Sequence, residues 1–80
     1  MQFAIDERFV YDMNDPDEAS GKIQRHIVEG DSAHAALSLH AIATDARLLG
    51  MTERADGTLG GTAWRGEKLF RIHVQPTQSE

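Results

Sequence analysis

The chain has 80 residues, 40% of them hydrophobic, a formal net charge of −5 and no cysteine. A chain this short buries only about 60% of the surface it exposes when unfolded, so it is read as one domain with a small core and little room for an internal ligand pocket. The missing thiols exclude a disulfide framework and a thiolate metal site, and no apolar run approaches the roughly 18 residues of a membrane span.

The beginning of the chain, MQFAID, lacks the basic flank and long apolar stretch of a signal peptide, so a cytoplasmic location is expected. The charge is uneven. Residues 1–31 hold eight acids against Arg8, Lys22 and Arg25, whereas residues 32–80 hold five of each sign. An acidic first third repels nucleic acid and attracts basic surfaces, so direct DNA or RNA binding is not expected.

Residues 3–13 alternate with period 2: Phe3, Ile5, Glu7, Phe9, Tyr11 and Met13 fall on one side. A long half-buried strand is predicted, with a bulge or bend near Glu7 and with Asp6, Arg8 and Asp12 facing solvent together. Residues 15–30 allow two readings. Asp15-Pro16-Asp17-Glu18 offers an N-cap, a proline at the first helical position and an acid three residues after the cap. Against this, the glycine-bounded stretch 21–30, with Ile23, Ile27 and Val28, reads as a strand, which makes YDMNDPDEAS a hairpin loop.

Residues 32–49 are predicted to form the main helix, capped by Asp31 or Ser32 and ended by Gly50. Ala35, Leu39, Ile42, Ala46 and Leu49 give it an apolar stripe. Strands follow over 51–55, 58–65 and 68–74, with turns at Asp56-Gly57 and Gly66-Glu67. A two-residue turn at Gly66-Glu67 sets Arg65 opposite Lys68, Trp64 opposite Leu69 and Ala63 opposite Phe70. Leu59, Ala63, Phe70, Ile72 and Val74 then share the core face. Thr62, Trp64, Leu69, Arg71 and His73 share the other, which is either covered by the first strand or the tail, or is an exposed aromatic and basic patch. The fold class is therefore α+β: a small antiparallel sheet with the helix on one face and a C-terminal β-hairpin, a single domain over 1–75 and a polar tail over 76–80.

The stretch YDMNDPDE fails as an EF-hand loop in both registers. From Asp12 it lacks a glycine at Asp17 and an acid at Ile23; from Asp15 it lacks a glycine at Ser20 and an acid at His26. His34 and His40 are about 240° apart around a helix and cannot grip one ion, so no metal or other cofactor is expected. Gly57-Thr58-Leu59-Gly60-Gly61 lacks the ending of a phosphate loop, and no serine sits in an activating turn, so no catalytic residue is assigned and the protein is not expected to be an enzyme. An enzyme or ligand carrier would need a pocket joining a histidine to a carboxylate, of which the sequence gives no sign.

What remains is an interaction protein. Carboxylates spread along a strand and its following loop imitate the charge spacing of a phosphate backbone and suit a basic partner. In its size, acidity, reading frame from Met1, α+β pattern and freedom from catalytic motifs, the chain resembles the small acidic inhibitors of phages and mobile elements, of which the anti-CRISPR proteins are a group. The resemblance implies a stoichiometric inhibitor bound to a larger basic protein or ribonucleoprotein complex, such as a CRISPR effector, blocking its access to target DNA. From the residues themselves, Asp6, Asp12, Asp15, Asp17 and Glu18 are read as the steering acids, with Tyr11, Trp64 and Arg71 as contact residues. The alternative is a homodimeric regulatory or antitoxin-like protein that buries the Trp64 face against its own copy.

Overall fold

The computed structural model describes residues 1–17 and 21–77. Among them are five strands and one helix: β1 (Gln2–Asp12), β2 (Ile23–Glu29), α1 (Ala33–Thr44), β3 (Arg47–Glu53), β4 (Leu59–Arg65) and β5 (Lys68–Pro76). The strands form one antiparallel sheet in the order β2-β1-β5-β4-β3. The architecture is thus α+β. The two strands farthest apart in sequence, β1 and β5, pair at its centre.

Of the two readings for residues 15–30, the strand is the one formed over Ile23–Glu29, with Gln2 opposite Glu29 and Arg8 opposite Ile23. The helical start at Asp15 is not formed: Asp15 donates its N–H to the Asp12 carbonyl at 3.2 Å, within a turn. Residues 18–20 lie outside the described residues.

The register of β1 corrects the expected bulge. Glu7 sits in unbroken pairing, opposite Gln24 on β2 and Ile72 on β5; the shift against β5 falls between Phe9 and Tyr11. One extra residue, Val10, reverses the alternation beyond it. Tyr11 moves to the outer face, and Asp12, expected in solvent beside Asp6 and Arg8, turns inward to 8% exposure.

β4 and β5 pair with Arg65 opposite Lys68 and Ala63 opposite Phe70, around a turn in which Gly66 has φ 62° and Glu67 a negative φ. A positive φ at only the first central residue is what a type II′ turn needs. β5 also runs further than expected. It reaches Pro76, opposite Phe3, and Thr77 donates its N–H to the Gln2 carbonyl at 3.0 Å, so the sheet includes the first residues assigned to the tail.

The helix is shorter than the 32–49 predicted, and it is turned over. Ser32 caps it, its Oγ accepting the Ala35 N–H at 3.1 Å. It closes at Asp45, whose left-handed backbone (φ 56°) lets the Ala46 N–H reach the Ala41 carbonyl at 2.8 Å. Residues 47–49 then join β3, where Leu48 pairs with Ala63 and packs on the core. The stripe facing the sheet is Ala36, Leu37, His40 and Ala41, with Ala33 and Thr44 half-buried beside it. Leu39 and Ile42, expected inside, are 54% and 79% exposed.

The core lies between α1 and one face of the sheet: Phe3, Ile5, Ala36, Leu37, Leu59, Ala63, Ile72 and Val74. Small residues on the helix let it lie close to the strands. Gly30, in the connection from β2 to α1, keeps that turn tight, since a Cβ there would come within 2.9 Å of the Ala36 backbone nitrogen. Among the described residues no second layer covers the opposite face of the sheet, which presents Ile23, Ile27, Arg8, Arg71, Trp64 and Leu49 outward.

Candidate functional site

Glu7 is the feature of the core that packing does not explain. It lies on the helix-facing side of β1 and is 2% exposed. A lone ionised carboxylate there would be costly, and four donors answer it. From β4, Arg65 reaches both oxygens, with Nη2 2.5 Å from Oε2 and Nη1 3.4 Å from Oε1. From α1, His40 places Nε2 3.0 Å from Oε2; from β2, His26 places Nε2 3.1 Å from Oε1. In the tautomers that carry hydrogen on Nε2, both rings donate to the carboxylate. Thr44 completes the frame: its hydroxyl donates to the His40 carbonyl at 2.8 Å and accepts from Arg65 Nη2 at 3.1 Å.

Burial alone would push the Glu7 carboxyl up. The bonds from Arg65 and His40 outweigh it and hold the group below its ordinary value of 4.5. The site is closed at its centre and open at one side. His40 is 7% exposed, whereas the His26 side chain is 37% exposed, and its ring lies 4.6 Å from that of His40. Arg65 also stacks over Phe70, 4.9 Å from the ring centroid, and its Nε is buried with no hydrogen-bond partner.

Comparison with known families, curated proteins and solved structures finds no match. The site must be read from its chemistry.

None of these four residues was expected to act together, yet all but His26 were legible by position. Glu7 shares its side of β1 with Phe3, Ile5 and Phe9; Arg65 shares its side of β4 with Leu59 and Ala63. His40 belongs to the stripe 33, 36, 37, 40, 41, 44, a helical spacing as regular as the one first chosen. The pairing of a histidine with a carboxylate, absent from the sequence signals, is thus present in the fold.

The residues expected to bind a partner are divided among three places. Asp6 is on the uncovered face, paired with Arg25 through Nε at 2.7 Å and Nη2 at 2.9 Å, bonds that hold its carboxyl below the ordinary range. Tyr11, Trp64 and Arg71 share that face, Trp64 half-buried between Arg47 and Leu69, and Arg71 opposite Arg8. Asp12 is on the core side, where it accepts the Asn14 N–H at 2.9 Å and lies 4.0 Å from Lys68 Nζ. It is therefore a loop-shaping residue and leaves the docking set. Asp15 and Asp17 are exposed on the β1–β2 loop, and Glu18 lies outside the described residues.

One end of the sheet does gather acids beside a cleft of mixed polar and apolar lining. The Met13 N–H is bonded to the Glu67 carbonyl at 2.9 Å, which ties the β1–β2 loop to the β4–β5 turn. Beside that tie, Met13, Asp45, Ala46, Arg47, Trp64 and Gly66 line an open cleft of about 500 Å³. Asp45 lines the cleft, Glu67 follows Gly66 in the turn, and Asp15 and Asp17 are exposed on the β1–β2 loop beyond Met13.

Proposed function

We propose that this protein is a non-enzymatic, protein-binding inhibitor that docks through its acidic end onto the basic, nucleic-acid-binding site of a larger complex. A CRISPR effector is the target that its resemblance to small phage inhibitors implies. The observation that carries the reading is the Met13–Trp64 cleft, lined by Asp45 and bordered by the β1–β2 loop and the β4–β5 turn, which carry further exposed acids. An aromatic in a partly apolar cleft supplies an anchor, and surrounding carboxylates supply steering and register. Catalysis at Glu7 fits less well, because the carboxylate is 2% exposed and each oxygen is already engaged by an arginine nitrogen and a histidine nitrogen.

Tagged protein incubated with lysate containing CRISPR effector complexes is expected to retain one nucleic-acid-handling complex at low salt and to release it as salt rises, as exposed charge pairs are screened. Changing Asp15 and Asp17 to Asn together with Glu67→Gln should weaken that binding by at least about tenfold at low salt with the far-ultraviolet spectrum unchanged. Affinity equal to wild type would remove the acidic end from the interface. Asp12 is left intact in this variant because its carboxylate holds the loop.

A second reading, a self-associating regulator, is favoured by the helix. With Leu39 and Ile42 outward and Ala36, Leu37 and Ala41 inward, α1 is apolar on both sides, as helices buried between two layers are. The self-contact would then use the outer side of α1 rather than the Trp64 face. If wild type sediments as a dimer, Ile42→Glu should turn it into a monomer, and an unchanged dimer would exclude this face.

A further inference from the structure

The geometry points to a divalent transition-metal site at Glu7, His26 and His40, with Arg65 as the group a metal must displace. Two imidazole nitrogens and a carboxylate converge from three different elements, and the three ligand atoms lie within 4.8 Å of one another. The two histidine–carboxylate separations fit a coordination sphere. Metal–ligand bonds of about 2.0–2.2 Å set neighbouring donors roughly 3.0–3.5 Å apart, and His26 Nε2 and His40 Nε2 lie 3.1 Å and 3.0 Å from the two Glu7 oxygens. Glu7 presents a different oxygen to each ring, so the carboxylate lies between the two imidazoles.

The donor set, two nitrogens and a carboxylate, selects zinc, cobalt, nickel or copper over calcium or magnesium. The ring nitrogens need only change tautomer. An Nε2 that donates a hydrogen to Glu7 becomes a lone-pair donor when the hydrogen resides on Nδ1, and neutral imidazole is the form that binds metal. His26, exposed at its edge, gives the ion an entry path.

Arg65 now supplies the positive charge a metal would bring. Two features let it yield: it comes from the last residue of β4, and its side chain is 29% exposed and so has solvent to turn into, while leaving gives up its bond to Thr44 and its contact with Phe70. Arg65 therefore sets the affinity: the ion enters as the guanidinium swings out, and the two cations do not share the carboxylate.

Titration with cobalt(II), read by its visible absorption, and competition with zinc(II) test the inference. Wild type should bind one equivalent with d–d bands of a nitrogen- and oxygen-ligated ion, and zinc should raise its melting temperature. His26→Ala and His40→Ala should each abolish the bands, whereas His34→Ala and His73→Ala should not. Arg65→Met should tighten binding by about tenfold or more, the scale of a change beside a ligand. Bands that persist in a folded double variant of His26 and His40 would overturn the site. So would their absence from wild type, including the case in which only Arg65→Met binds, because Arg65 would then close the site rather than compete for it.

Discussion

Glu7→Ala should lower the unfolding free energy by about 3 kcal/mol, measured by urea denaturation at neutral pH. Removing one partner of a buried ion pair costs more than the pair itself contributes, because the groups left behind lose their acceptor. His40 would stay buried without its bond to Glu7, while Arg65, 29% exposed, would recover part of its loss by turning to water. That partial recovery places the expected cost at the low end of the range for buried pairs. Removing both charges together, as Glu7→Leu with Arg65→Met, should cost less than Glu7→Ala alone. A double variant less stable than the single one would show that Arg65 has a supporting role independent of Glu7, through Thr44 and Phe70.

The same carboxylate gives a pH dependence with a definite sign. Its folded value lies below 4.5, so on acidification the unfolded chain takes up this proton first. Its contribution is therefore complete above about pH 4.5 and is lost as pH falls through the lower folded value. Below about pH 5, wild type should lose stability with falling pH more steeply than Glu7→Gln, which has no carboxylate to protonate. Parallel curves for the two would mean that Glu7 is not ionised in the folded protein.

Leu37→Ala should cost about 3 kcal/mol, and Leu39→Ala no more than about 0.5 kcal/mol, although the two leucines are two residues apart on one helix. Leu37 is 1% exposed and sits in the cluster with Ile5, Leu59 and Val74, so truncation leaves a cavity. Leu39 is 54% exposed, and its truncation leaves none. Paired thermal melts of the two variants decide which side of α1 faces the sheet. Equal losses would mean that the helix is rotated from the orientation described above.

The rotation of α1 is the instructive difference between sequence and fold. Its residues carry two apolar stripes, one rich in leucine and isoleucine and one rich in alanine. Side-chain size favours the first as core. The fold decides otherwise, because Gly30 in the β2–α1 connection packs the chain directly against the Ala36 side of the helix, with no room for a Cβ, and because Glu7 bonds His40. Helix length was misread for a related reason. Gly50 is a good terminator by type, but Leu48 has a partner in Ala63 across β3 and β4, and Asp45 adopts the left-handed turn that ends the helix early.

Strand pairing near the turns was more legible. Gly66-Glu67 fixes the β4–β5 register locally, so the partners and the core face of those strands followed from alternation alone. The position of Glu7 on its strand was equally visible, but a charged residue among apolar ones has several explanations until its partners are known. The bulge at Val10 had no local signal and decided the fate of Asp12. The acidic stretch that stood out as one surface is therefore split, with Asp12 shaping the loop, Asp6 bound to Arg25, and Asp15 and Asp17 exposed.

By itself the sequence determined the α+β class, most of the strands, the local β-hairpin register and the concentration of acid in the first third of the chain. These depend on alternation, turn chemistry and composition, all of which act over a few residues. The tertiary structure decided which stripe of α1 is buried, which acids remain available to a partner, and the meeting of Glu7, His26, His40 and Arg65. That meeting joins positions up to 58 residues apart, and no local preference fixes contacts at such separations; only the packing of helix on sheet does.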